Sequence, residues 1–227
     1  MNTEEFLPSV TASFAESVGP DADEVIREMD ARAEREGFPT VGPAVGGWLR
    51  LLARAVGAER VFEFGSGFGY SAYWMAPALP ADGDLVLTEV DEAELADARD
   101  YLERGGYADR ARFEAGDALA TVEGYREPFD LVLLDHGKER YAEAFEAVRG
   151  KVPVGGLVCT DNAMTAGPME FDALRGLVEE DADPEAVETT DATHGIAEYL
   201  ETVRADGAFE TTLLPLGEGL SVSVRVE

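Results

Sequence analysis

The segment from Leu133 to Tyr141 contains the residues with the most distinctive chemistry in this sequence. It reads Leu-Leu-Asp-His-Gly-Lys-Glu-Arg-Tyr and holds one of the two lysines and one of the two histidines of the chain. Lys138 follows Asp135 by three residues and His136 by two. A positioned lysine can accept a proton, and a carboxylate can bind a divalent cation. Because the rest of the chain has almost no lysine, we interpret this segment as a functional site.

A second pair of oxygen donors follows a later apolar run. Asp161 and Asn162 come directly after Gly156 to Thr160, as Asp135 comes directly after Phe129 to Leu134. If both runs are neighbouring parallel strands, two carboxylates and one amide oxygen meet in one crevice, where they suit Mg²⁺. The alternative is that Asp135 only ends a strand and the Asp-Asn pair only forms a turn. The rare lysine beside them favours the site.

The segment from Val61 to Ser71, Val-Phe-Glu-Phe-Gly-Ser-Gly-Phe-Gly-Tyr-Ser, carries a glycine motif between an apolar run and a helical stretch. Its glycines allow a tight turn and close approach of the backbone to a ligand at the helix N-terminus. The spacing is G-x-G-x-G, because Tyr70 stands where a dinucleotide motif has its third glycine. Glu89 ends the next apolar run and can accept hydrogen bonds from two ribose hydroxyls. The alternatives are a sharp turn and a solvated acid.

The charge of the chain excludes some partners. Asp and Glu number 47 against 18 Lys and Arg, which gives a formal net charge of −29. Such a chain repels polyphosphate, so we expect neither nucleic-acid binding nor docking on an anionic membrane. With 45% hydrophobic residues it can still bury a core. We interpret the composition as halophilic, with an ordinary acidic cytosolic protein as the alternative.

The apolar pattern predicts a single α/β domain over residues 1–227. Three helices come first, and apolar runs then alternate with helical stretches, as in a doubly wound, mostly parallel sheet. The predicted parallel strands are Val61 to Phe64, Leu85 to Val90, Ala111 to Glu114, Phe129 to Leu134 and Gly156 to Thr160. The predicted helices are Phe6 to Val18, one capped by Asp21 and ended by Gly37, Ala44 to Val56, Tyr70 to Leu79, Glu92 to Arg104, Leu119 to Tyr125 and Glu139 to Arg149.

The C-terminal part departs from this alternation. Phe209 to Leu214 and Leu220 to Val226 flank the short turn Pro215 to Gly219, so we expect an antiparallel pair that completes seven strands. The acidic stretch Glu179 to Thr193 is interpreted as a solvated connection.

Other features limit the cellular setting. The single cysteine, Cys159, lies in an apolar run and is expected to be a buried thiol. The sequence shows no basic leader and no apolar run near about 18 residues, so we expect a cytoplasmic protein.

These motifs together resemble a known family. Gly-x-Gly-x-Gly-Tyr-Ser, the strand-end Glu89 and Gly116-Asp117-Ala118 resemble the class I S-adenosylmethionine-dependent methyltransferases, which have a Rossmann-like fold. Leu134 to Tyr141 and Thr160-Asp161-Asn162 closely resemble segments of catechol O-methyltransferase. The resemblance runs from about Thr40 to Gly167 and extends to the caffeoyl-coenzyme A type.

The resemblance implies roles for individual residues. Asp135, Asp161 and Asn162 would ligate a divalent metal such as Mg²⁺, and Lys138 would be the general base that deprotonates a hydroxyl of a catechol-like small molecule. Val41 would lie near the methionine end of S-adenosylmethionine and Asp117 near its adenine. The remaining implied cofactor contacts are Glu63, Gly65, Gly67, Gly69, Tyr70, Ser71, Glu89, Asp135 and His136. Residues 1–57 would cover the site of the core at 58–227 and pack against a partner subunit in a homodimer.

The sequence also departs from the family. Gly37 and Gly137 stand where catechol O-methyltransferase has bulky aromatic walls, and matching backwards from Asp206-Gly207 puts Leu200 at its second acidic substrate contact. Glu201 lies one residue away from that position and Glu198 two. The function therefore has two alternatives, a metal-independent small-molecule methyltransferase and a cofactor-binding protein without turnover.

Overall fold

The computed structural model describes residues 14, 16–179 and 183–227. Its sheet has seven strands in the order β3-β2-β1-β4-β5-β7-β6, with β7 antiparallel to both neighbours and the other pairs parallel. This confirms the predicted fold class. The strands are β1 (Arg60–Phe64), β2 (Asp84–Glu89), β3 (Ala111–Ala115), β4 (Leu131–Leu134), β5 (Leu157–Thr160), β6 (Phe209–Leu214) and β7 (Leu220–Arg225).

Helices cover both faces of the sheet. They are α1 (Glu24–Glu36), α2 (Gly42–Ala55), α3 (Tyr70–Met75), α4 (Glu92–Arg104), α5 (Ala118–Glu123), α6 (Tyr141–Val148), α7 (Phe171–Glu179) and α8 (Asp191–Ala205). Buried side chains of α1 to α4 pack on one face of the sheet and those of α5 to α8 on the other. The strands supply both cores, because Leu133 faces the first and Leu134 the second.

The chain order reverses beside β1, which lies between β2 and β4. In an open α/β sheet such a reversal leaves a crevice outside the carboxyl ends of the strands, where ligands bind. The register pairs Phe64 with Leu134 and Leu134 with Thr160, so these three strands end at the same level. The residues that follow them therefore emerge at one edge of the sheet.

Several predicted boundaries move by a few residues. Asp23, rather than Asp21, caps α1, because its Oδ1 accepts the backbone N–H of Ile26 at 2.9 Å. The helix predicted from Ala44 begins at Gly42, with a proline in its first turn. Of the predicted helix Phe6 to Val18, only residues 14 and 16–18 belong to the described part of the chain, and they are helical. No helix within the described ranges is long and apolar enough to cross a membrane.

The interpretation of Glu179 to Thr193 as a solvated connection holds for residues 183–190, which are exposed or part-buried, and is wrong at 191–193, where a helix begins. A 3₁₀ turn spans Pro184–Ala186, and α8 starts at Asp191. Thr193 is fully buried, and its hydroxyl accepts the backbone N–H of Glu170 at 3.0 Å. The buried apolar residues of α8 have helical spacing, and only its first turn, with this threonine and Gly195, lacks apolar side chains; the apolar residues are Ile196, Tyr199, Leu200 and Val203.

Candidate active site

A cavity of about 540 Å³ lies at the carboxyl ends of β1, β4 and β5. Ten of the residues that the sequence proposed for the site line it: Val41, Gly65, Gly67, Tyr70, Ser71, Glu89, Asp135, Lys138, Asp161 and Asn162. Residues that the sequence analysis missed complete the lining: Phe38, Pro39, Thr40, Ser66, Phe68, Ala166, Gly167, Pro168 and Glu218. One crevice thus contains both the glycine motif and the oxygen donors of β4 and β5.

The glycine loop depends on a close approach between two strand ends. Gly65 has φ 78°, and a Cβ at this position would lie 2.4 Å from the backbone oxygen of Asp135. A larger residue would therefore push β1 and β4 apart at the floor of the cavity. Gly67 has φ 49°, and a Cβ there would meet the ring of Phe38 at 2.8 Å. The loop can therefore follow this path only with glycine at both positions.

Glu89 fastens the glycine loop to the end of β2. Its Oε2 accepts the backbone N–H of Gly67 at 2.9 Å, and its Oε1 accepts those of Val90 at 2.8 Å and Asp91 at 3.0 Å. An ionised carboxylate has about four acceptor positions, so Oε2 keeps capacity for a hydroxyl in the cavity. The residue both shapes the loop and offers a charged acceptor to a ligand.

Glu63 lies behind the cavity rather than in its lining. Its side chain is fully buried, and Oε1 accepts the hydroxyl of Ser71, which does line the cavity. The other oxygen, Oε2, has no hydrogen-bond partner among the described residues. Burial raises the pKa of Glu63 to about 8, and the charges of Asp135 and Glu89 add to this rise while the Ser71 bond opposes it. At neutral pH Glu63 is therefore mostly protonated.

The oxygen donors that follow β4 and β5 line the same cavity, and among the described residues their hydrogen bonds are incomplete. Asp161 is buried, and its Oδ1 has no hydrogen-bond partner in the part of the chain that the structure describes. Burial, together with the neighbouring charge of Asp135, raises the pKa of Asp161 to about 8. Burial likewise raises the pKa of Asp135, against the attraction of Lys138, whose Nζ donates to Asp135 Oδ1 at 3.1 Å. The ammonium group of Lys138 therefore contacts Asp135 and acts on Asp161 only through its charge.

This donor set fits a divalent cation. Asn162 adds an amide beside the two acids, and it has the positive φ of 57° that is unusual for a residue with a side chain. Hard oxygen donors of this kind suit Mg²⁺. Within the described ranges, no group of three or more His, Cys, Asp or Glu could hold a metal ion. A site here therefore needs the amide as well as the two carboxylates.

Three further residues that the sequence proposed as cofactor contacts do not line the cavity. His136 lies between the rings of Phe64 and Tyr141, with centroid separations of 5.3 and 5.2 Å, and burial lowers its pKa to about 4. Asp117 caps α5 through the N–H of Leu119 and pairs with Arg140 at 2.9 Å. Gly69 caps α3 beside Ala98, which a Cβ would meet at 2.9 Å. Their contacts with the cofactor stay predictions.

The acidic contact assigned near Leu200 needs correction. Leu200 is 7% exposed and packs in the core between the sheet and α8, so it cannot reach the cavity. Glu198 and Glu201 are exposed elsewhere on α8 and line a separate groove with α7. The acid that reaches the cavity is Glu218, in the turn between β6 and β7. In the sequence its only signal is a position between two glycines, which also fits an ordinary turn.

Gly37 and Gly137, which the resemblance matches to aromatic walls, do not line the cavity. Gly37 ends α1 in the left-handed conformation with φ 65° and has no atom within 4 Å of a Cβ position. Gly137 lies against the side chain of Glu139. The wall near Gly37 is instead formed by Phe38 and Pro39.

Comparisons with known proteins agree with this geometry. A family model described as O-methyltransferase matches residues 18–226. A catechol O-methyltransferase of Niastella koreensis is 33% identical over 174 residues, which cover 74% of this chain and 77% of the relative. A caffeoyl-CoA O-methyltransferase of Eucalyptus gunnii is 26% identical over 216 residues, covering 92% and 82%. The O-methyltransferase TomG of Streptomyces achromogenes, solved in complex with S-adenosylmethionine, aligns over 100% of both chains with a TM-score of 0.81 and 25% identity.

Proposed function

The chain belongs to the O-methyltransferase family and is an S-adenosylmethionine-dependent enzyme. From that premise we propose that its acceptor is a catechol-like or other vicinal-diol small molecule, that a divalent cation is required and that Lys138 is the general base. The acceptor class is supported by the catechol and caffeoyl-CoA O-methyltransferases among its relatives.

The cofactor occupies the part of the cavity formed by the glycine loop. S-adenosylmethionine carries a methyl group on a positively charged sulfur, and oxygen nucleophiles attack the carbon of that methyl group. Gly65 and Gly67 let the backbone approach it, and Glu89 accepts ribose hydroxyls at the end of β2. Ser71, at the start of α3, extends the polar surface below the loop, and Glu63 on β1 accepts its hydroxyl from behind the cavity. These residues fix the direction in which the methyl group faces the acceptor.

The acceptor binds on the side of β4 and β5. Asp135, Asp161 and the amide oxygen of Asn162 would hold the cation, which supplies positive charge that favours ionisation of an acceptor hydroxyl. In its neutral amine form Lys138 takes the hydroxyl proton at Nζ, and its contact with Asp135 keeps it beside the acceptor. The acceptor oxygen then forms its bond to the methyl carbon as the carbon–sulfur bond breaks, with the electron pair left on sulfur. Catalysis rests mainly on holding the two reactants in line.

One observation carries the proposal: a lysine contacts Asp135 in the same cavity as the glycine loop and the buried Asp161, whose Oδ1 has no hydrogen-bond partner among the described residues. The test is methyl transfer from S-adenosylmethionine to 3,4-dihydroxybenzoate, with Mg²⁺ or with EDTA. We expect methylated product with Mg²⁺ and almost none with EDTA. Full activity in EDTA would contradict the metal requirement and support metal-independent transfer, and no product from any diol would reject the acceptor class.

The composition and surface support two further proposals. We propose that the fold needs molar salt, because a net charge of −29 repels itself when it is not screened. We also propose a homodimer, since Trp48 and Leu51 expose apolar side chains on α2. Circular dichroism and sedimentation across a KCl series test both. A stable fold at low salt would contradict the first proposal, and a monomer at all concentrations the second.

A further inference from the structure

The turn between β6 and β7 is held firmly against the segment that follows β5. The backbone N–H groups of Met164 and Thr165 donate to the carbonyl oxygen of Glu218 at 3.0 and 2.9 Å, and that of Ala163 donates to Gly219 at 2.8 Å. Gly219 has φ 94°, and a Cβ there would lie 2.5 Å from the side chain of Met164. The backbone of Glu218 therefore has a fixed position beside Asn162.

The side chains of these two residues also meet. Asn162 Nδ2 donates to Glu218 Oε2 at 2.5 Å, and Glu218 lines the cavity. An amide has one donor end and one acceptor end, whereas an ionised carboxylate only accepts. Glu218 can therefore pair only with the NH₂ end of Asn162. The amide oxygen is left as the end that can bind a ligand.

A cation site needs that end of the amide. An amide turned by 180° would present its NH₂ group, which cannot coordinate a metal ion. Groups that hold a metal ligand in the correct orientation commonly affect metal affinity as strongly as some ligands do. We propose that Glu218 is a positioning residue that keeps the Asn162 amide oxygen available to the divalent cation. This inference rests on the proposed metal dependence.

The test measures Mn²⁺ binding to the protein without acceptor, by the electron paramagnetic resonance signal of free Mn²⁺. Glu218→Gln can present either end of its own amide to Asn162 and so no longer fixes its orientation. Glu218→Asp keeps the charge but is one methylene shorter, so it loses the direct contact. We expect both variants to raise the Mn²⁺ dissociation constant by about 10- to 100-fold. Glu210→Gln, an exposed acid on the same strand pair, is the matched control and should bind as the wild type does.

The outcomes separate orientation from charge. A Glu218→Asp protein with wild-type affinity would overturn the inference, because charge alone would then explain the role of Glu218. Wild-type affinity in both variants would overturn it as well. Absence of Mn²⁺ binding in the wild type would reject the proposed metal dependence and this inference with it. Calorimetric binding of S-adenosylhomocysteine checks that each variant is folded and should be unchanged.

Discussion

The cofactor side and the acceptor side of the cavity differ in how the carboxylates that line them are hydrogen-bonded. On the cofactor side, the carboxylate of Glu89 accepts three backbone N–H groups and needs no ligand to be satisfied. On the acceptor side, Asp161 is buried, its Oδ1 has no hydrogen-bond partner in the described ranges, and Lys138 contacts its neighbour Asp135. The first side is prearranged by the fold alone. The second contains a buried carboxyl group, Asp161, whose ionisation a divalent cation would stabilise.

The largest effect on turnover is expected for a variant of Asp161, on the acceptor side. Asp161→Asn should abolish metal-dependent turnover, because the remaining donors cannot hold the cation and the acceptor oxygens in one geometry. The free energy of unfolding should not fall, since an unpaired buried carboxylate costs stability when it ionises. Methyl transfer at saturating Mg²⁺ and urea denaturation measure the two quantities. Asp172→Asn, an exposed acid on α7, is the control. An Asp161→Asn enzyme that Mg²⁺ restores to full activity would contradict the assignment.

The next largest effect concerns the base. Lys138→Met should lower turnover by roughly 10²–10⁴-fold and leave S-adenosylhomocysteine affinity nearly unchanged. Raised pH should restore part of the activity, because the acceptor hydroxyl then ionises without the lysine. The same substitution at the other lysine, Lys151, is the matched control. Lys151 donates to the carbonyl oxygen of Tyr125, on a different part of the surface. Unimpaired turnover in Lys138→Met would remove it from the mechanism.

A smaller effect is expected on the prearranged side. Glu89→Ala should weaken S-adenosylhomocysteine binding by roughly 1.5–3 kcal/mol, or about 10- to 150-fold, because the ribose hydroxyls lose a charged acceptor. Calorimetry measures the change, with the exposed Glu92→Ala as control. Equal affinity in the variant and the wild type would exclude Glu89 from the cofactor site.

The smallest effect on turnover is expected for Glu63, because it lines neither side of the cavity. Its expected effect is on how stability depends on pH. Its pKa is about 8 in the folded chain and 4.5 in the reference state, so between these values the unfolded chain has lost a proton that the folded chain keeps. Stability should therefore fall as pH rises through this window. Glu63→Gln cannot ionise and should lose less stability between pH 5 and pH 9 in urea denaturation. Parallel pH profiles for the two proteins would contradict the raised pKa.

The sequence was informative where function depends on residues that lie close together in the chain. The glycine loop, Glu89 and Asp135 each follow an apolar strand directly, and parallel strands bring their carboxyl ends to one edge. α8 was missed although its apolar residues from Ile196 to Val203 have helical spacing, because its first turn lies in the acidic stretch that was interpreted as a solvated connection. Glu218 was missed because only the antiparallel return of β7 beside β5 carries the preceding turn to Asn162. That contact joins positions 56 residues apart, and no local pattern marks it.

The central claim is that the acceptor side is built to receive a divalent cation. The most direct measurement is anomalous X-ray diffraction from crystals soaked with Mn²⁺ and S-adenosylhomocysteine. We expect one strong manganese peak in contact with oxygens of Asp135, Asp161 and Asn162, at about 2.0–2.3 Å as is usual for a small divalent ion with oxygen ligands. An empty site at saturating Mn²⁺, or a peak that these three residues do not contact, would contradict it.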